Sequence, residues 1–207
     1  MNRVADRGAI TAAYVGIGMA VTICVSFLLF IPIEPIVWLL ALPSGVLIGY
    51  YANARSNRRA GPWLRILSNA LFASVVTGLT AVLLLLTIKG LFFFADNGYR
   101  DPGQGGSLTC QAGADCVYQR YLDAGRGPDM AAIGVSDSAS FASFYWREQV
   151  GTGLTVFALT AVGGLVGGAL YGVFRPKPEA TQPASAGPGS TPSEAAPGPT
   201  YPRDRPV

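Results

Sequence analysis

The chain contains no histidine. That absence excludes bis-His haem ligation, imidazole general acid–base catalysis and the usual zinc sites. Neither a Gly-rich phosphate loop of the P-loop type nor a G-x-S-x-G nucleophile turn occurs. Asp96, Asp101, Asp115, Asp123, Asp129 and Asp137 are dispersed without EF-hand spacing and read as a solvated surface. Charge is sparse, at 13% of residues, and the formal net charge of +3 is too small to point to nucleic acid. No catalytic residue, metal site or cofactor is expected, so the chain reads as non-enzymatic.

Charge is missing above all from four apolar stretches, Ala9–Ile31, Ile36–Ala52, Ile66–Phe94 and Val150–Phe174. A helix crossing a hydrocarbon core of ~30 Å needs about 20 apolar residues. Lys89 is the one charged residue within the four, whereas a helix of a soluble protein keeps a charged face. The expectation is an all-α integral membrane protein, a four-helix transmembrane bundle. Arg3 and Arg7 before the first stretch imitate a secretory signal. No small-x-small cleavage site follows, so the helix reads as retained. Pro43 interrupts the second and shortest stretch.

Basic residues in short flanking segments set orientation. Arg3 and Arg7 lie in the 1–8 segment, Arg55, Arg58, Arg59 and Arg65 crowd the second connector, and Arg175 and Lys177 follow the last span. All three regions fall on one side of a four-span chain. The Asp96–Glu148 loop carries seven acids against four arginines and falls on the other side. Both termini are therefore expected in the cytoplasm of a cell inner or plasma membrane, with residues 96–148 forming an extracytoplasmic cap. Thirteen arginines against two lysines, with abundant Ala and Gly, fit a GC-rich bacterial genome. The basic cluster, with Trp63, is expected to meet anionic headgroups.

The tail, residues 176–207, holds nine of the fifteen prolines and cannot bury enough apolar surface to order itself. It reads as disordered. Pro199 to Pro202 matches a minimal P-x-x-P docking pattern, which such a composition also produces by chance.

The loop reads as partly folded. Asp115 is a candidate helix N-cap ahead of Val117, Tyr118, Tyr121 and Leu122, with Gly125 as the stop. A second pattern starts near Ser136 or Ser138, carries Phe141, Phe144 and Tyr145, brings Trp146 to the lipid boundary, and is expected to run directly into the fourth span. Asn97-Gly98 and Asp101-Pro-Gly103 mark turns, and Cys110 and Cys116 flank the start of the Asp115 helix. In an oxidising compartment they are expected to form a disulfide staple, the alternative being a redox pair. The spacing is not C-x-x-C, and no histidine is present to lower a thiol pKa. Four-span thiol oxidoreductases of the disulfide-forming type need a second pair in the first exterior loop, which here is only 31–35. Tetraspanins need a Cys-Cys-Gly signature, also missing. Cys24, inside a span, reads as a small packing residue.

Gly164, Gly168 and Gly172 repeat every fourth residue on the last span, with Gly163 and Gly167 beside them. Such a face lets backbones approach closely, either within the bundle, against Gly16 and Ala20 or the second helix, or between copies or subunits. A weak echo links Ser44–Tyr51 with Gly167–Gly172. Asn69 reads as a headgroup contact. Lys89 sits level with Glu34 near the outer boundary and is expected either to snorkel or to pair with it, in a structural role rather than in ion coupling. The functional expectation is an assembly, accessory or interaction subunit that uses its cap or its Gly-rich helix. The lipid bilayer and a membrane-protein partner or homo-oligomer are its surroundings. The alternative is an oligomeric small-solute or ion transport component.

Overall fold

The computed structural model describes residues 6–26, 34–56, 61–99 and 106–174, apart from the side chains of 34 and 35. The tail, Arg58, Arg59 and the Glu34 side chain therefore lie outside the described residues, and with them the expected Glu34–Lys89 pair. Six α-helices appear in chain order: α1 (Arg7–Cys24), α2 (Glu34–Ala54), α3 (Trp63–Ala95), α4 (Ala114–Tyr121), α5 (Gly127–Ala132) and α6 (Ser138–Phe174). No strand occurs among the described residues. Helices α1, α2, α3 and α6 are each long and apolar enough to span a membrane.

Helix α1 starts because Asp6 is extended (φ −91°, ψ 177°) and its Oδ1 accepts the Ala9 N–H at 3.1 Å. Its buried face is made of small residues at four-residue steps: Gly8, Ala12, Gly16, Ala20 and Cys24. A Cβ on Gly8 would stand 2.5 Å from the Ser56 amide nitrogen, and one on Gly16 would meet the Thr77 hydroxyl. The start of α1 therefore rests against the end of α2, and its middle against α3.

Helices α2 and α6 are in backbone contact along a seam of glycines. A Cβ on Gly45 would stand 2.2 Å from the Thr160 carbonyl oxygen, and one on Gly49 2.2 Å from that of Gly164. From the other side, a Cβ added to Gly163 would run into the Leu42 carbonyl oxygen and one added to Gly167 into that of Val46. Both series climb together, so the two helices run parallel. The two echoing segments noted in the sequence thus lie against one another.

Helices α3 and α6 exceed the spans read from hydropathy. Their 33 and 37 residues correspond to roughly 50 and 55 Å at 1.5 Å per residue. The excess on α6 precedes Val150: the helix begins at Ser138 and runs unbroken into the apolar segment. Asp137 starts it, its Oδ1 accepting the Ser140 N–H at 2.7 Å while the Ser140 hydroxyl accepts the Ser136 and Asp137 amides.

The interior changes character along its length. Near Asp6 it is Ala12, Ile48, Ala52 and Ala73; further up it is Cys24, Val37, Ala41, Leu85, Ile88 and Val156. Beyond that the aromatic cluster under the cap takes over. The exterior is the more apolar surface. Leu39, Leu47, Leu83, Leu91 and Leu154 are each 61% exposed or more. Such a girdle of leucine has no place on a monomer in water.

Candidate functional site

The 96–148 cap is built from local devices. Asp96 ends α3, and its backbone carbonyl accepts the Gly113 N–H at 2.7 Å. The Asp96 carboxylate grips Arg120 of α4 in a two-point pair, Oδ2 to Nε at 2.6 Å and Oδ1 to Nη2 at 3.0 Å. Arg120 Nη2 also donates to the Tyr99 carbonyl at 2.7 Å. Burial pushes the Asp96 carboxyl up. The hydrogen bond from Arg120, the Gly98 N–H and the guanidinium charge outweigh it and hold the carboxyl below its ordinary value. The same hydrogen bond raises Arg120.

Cys110 and Cys116 are joined in a disulfide with Cα atoms 5.0 Å apart, and Cys116 is fully buried. Gly98 is required beside it: its φ is +74°, and a Cβ there would stand 2.8 Å from Cys110 Sγ. Asp115 is not the N-cap expected from the sequence. That position belongs to Gly113, and the Asp115 carboxylate instead reaches back to accept the Gln111 N–H at 2.9 Å. The helix starts two residues earlier than expected, at Ala114, which places Asp115 inside its first turn. Gly125, at φ +76°, does break the helical path, within a π-helical turn at Leu122–Arg126.

Aromatic rings seat this cap on the bundle. Phe93 stacks on Tyr145 (4.7 Å between centroids) and meets Trp146 edge-on. Phe141, fully buried, takes Tyr121 at 4.9 Å and Tyr118 at 5.4 Å. Met130 and Val135 bury against the same cluster. Facing outward are Arg126, Pro128, Asp129, Ala131, Ala132 and Ile133, the last 53% exposed.

The opposite end of the bundle holds a polar node that sequence reading missed. Asp6 Oδ2 accepts from the Ser56 hydroxyl and from Asn69 Nδ2, the latter at 3.1 Å. Asn53 Nδ2 donates to the Gly49 and Ile66 carbonyls at 3.1 and 3.0 Å. Asn69 is 2% exposed, so the expected headgroup contact is corrected: its amide faces inward to a carboxylate. Asp6 ahead of an apolar helix was a legible N-cap signal; its distant partners were not.

Gly163 and Gly167 face α2, while Gly164 and Gly168 face Ser74 and Ala70 of α3, and Gly172 faces the Trp63 ring. Gly16 of α1 packs on Thr77 of α3 rather than on these glycines. Arg55 and Arg65 are exposed, and Arg55 Nε donates to Tyr51 Oη at 3.2 Å. Lys89 is half-buried, and its backbone carbonyl accepts from Tyr145 Oη at 3.4 Å. A cavity of ~20 Å³ lies between α1, α2, α3 and α6, lined in part by Cys24, Ser44, Thr77 and Thr160. That volume is room for about one water. Among the described residues, no three His, Cys, Asp or Glu side chains gather as a metal site would require. Set against known protein families, curated proteins and solved structures, the chain matches none.

Proposed function

We propose that this is a multi-pass protein of a cell inner or plasma membrane that acts as a non-enzymatic assembly or interaction subunit, through its cap. Both termini are cytoplasmic and the cap is extracytoplasmic, because the basic segments fall together at the Asp6 end and the acidic loop at the other. The observation carrying this reading is the cap's outer face. Met130 and Val135 are buried against the aromatic cluster, and Ile133 is left facing outward beside the exposed Ala131 and Ala132. An exposed aliphatic anchor on a segment packed from beneath favours a protein partner. The Gly-rich face of α6 supports no partner of its own, since α2, α3 and Trp63 already fill it. Transport is disfavoured by the scarcity of polar lining: the ~20 Å³ cavity among the four long helices has room for about one water, and the larger groove between α1 and α2 is mostly apolar.

The test is affinity purification from native membranes in mild detergent, comparing the intact chain with Ile133→Asp. A stoichiometric partner held by the first and lost by the second is the expected result. Recovery of the chain alone from native membranes would overturn the reading.

A further inference from the structure

We infer that the Asp6 end of the bundle is a binding site for an anionic phospholipid, in which Arg7, Arg55 and Arg65 hold the phosphate and Trp63 and Leu64 lie along the acyl chains. The polar node brings the three arginines together although they come from three separate segments. Asp6 precedes Arg7, Ser56 follows Arg55, and Asn69 sits one turn after Arg65; the Asp6 carboxylate bonds both Ser56 and Asn69. The backbone approach of Gly8 to Ser56 and Arg55 independently places Arg7 near Arg55.

All three guanidinium-bearing residues are exposed. Asp6 is the one carboxylate at this end among the described residues, and its oxygens are taken up by the Ala9 amide, Ser56 and Asn69. Three guanidinium groups against this one carboxylate leave the patch net cationic among the described residues. Arg55 is held by the Tyr51 hydroxyl and lies 5.7 Å from the centre of its ring. Helix α3 also begins here, at Pro62, with no side-chain cap, so its first amides add to the positive field. Directly beside the charge, Trp63 is 46% and Leu64 81% exposed, and the indole is braced against Gly172. Charge adjoining bare hydrocarbon selects a ligand with both a phosphate and acyl chains. Free phosphate or a nucleic acid would satisfy the arginines and leave Trp63 and Leu64 in water.

The inference rests on the membrane-spanning reading, and alkaline carbonate extraction tests that reading separately: release from membranes would sink the span assignment itself. The site is tested by native mass spectrometry of delipidated full-length protein titrated with phosphatidylglycerol or phosphatidylcholine. Phosphatidylglycerol is expected to bind at least about 10-fold more tightly, and Arg55→Gln or Arg65→Gln to lose about 5-fold each, as one arginine at an anionic surface is worth. Arg55→Lys should keep most of the affinity, which separates charge from misfolding. Arg147→Gln, at the far end, should change nothing. Equal affinity for the two lipids, an equal loss in Arg147→Gln, or displacement of the lipid by millimolar inorganic phosphate would each overturn it.

Discussion

At the scale of single residues, two carboxylates do most of the organising, one at each end. Asp6 caps α1 and ties it to Ser56 and Asn69. Asp6→Ala should cost about 2–3 kcal/mol, combining a lost N-cap with two donors left without their acceptor. Thermal unfolding in detergent reads this, with Asp6→Asn expected to recover part of the loss through its amide oxygen. Asp96 behaves differently because its partner is charged. Its folded carboxyl titrates below the ordinary value, so the stabilisation is present at neutral pH and is lost as pH falls through the folded value. Acidification should therefore loosen the cap in the wild type, while Asp96→Asn, already lacking the pair, should show a flatter acid limb. Proteolysis within 106–134 as a function of pH measures it. An identical acid limb in the two proteins would refute the role given to this pair.

At the scale of elements, glycine positions on α6 that look alike in sequence carry different loads. Gly167→Ala places a methyl 2.1 Å from the Val46 carbonyl oxygen and must push α2 away. A cost of about 1–3 kcal/mol is expected, as for other overpacked sites. Gly151→Ala meets nothing within 4 Å and should be neutral or stabilising by up to about 1 kcal/mol. The two melting temperatures should shift in opposite directions, and a parallel shift would show that the α2–α6 seam is looser than its geometry implies. The existence of the four long helices was legible, because uninterrupted apolar runs have one physical meaning. So was the closeness demanded by the Gly163–Gly172 face, although not that α2 and α3 would share it. The Asp6 node was illegible for a reason that applies generally. Its hydrogen bonds join residues 50 and 63 positions apart, and no local period encodes which distant asparagine a carboxylate will meet. The continuous α6 was legible: the pattern starting near Ser136 or Ser138 leads directly into the fourth apolar span, and the helix runs from Ser138 through Arg147 and Glu148 to Phe174.

At the scale of the whole molecule, the bundle is sorted by charge as well as by polarity. One end gathers Arg7, Arg55 and Arg65, while the other carries a stapled cap whose segment is net acidic. Between them the outward face is rich in leucine, while the inward face is rich in alanine and glycine near the Asp6 end and gives way to Val37, Leu85, Ile88 and Val156 further along. Under the membrane-spanning reading proposed above, hydrocarbon covers the middle and the basic end stays on the cytoplasmic side. The consequence is a sided molecule, which cysteine labelling can read because its own thiols are silent: Cys110 and Cys116 are bonded to each other and Cys24 is buried. Ile133→Cys places one reactive thiol on the cap's outer face, and Ser190→Cys places one in the Pro-rich tail. In intact spheroplasts, a membrane-impermeant maleimide should label the first and spare the second, and permeabilisation should add the second. Protection of position 133 in intact spheroplasts would invert the assignment. It would also move the disulfide into a reducing compartment, where a Cys110–Cys116 bond would not persist. The labelling pattern and the oxidation state of that one bond must therefore agree, because both follow from which side of the membrane the cap occupies.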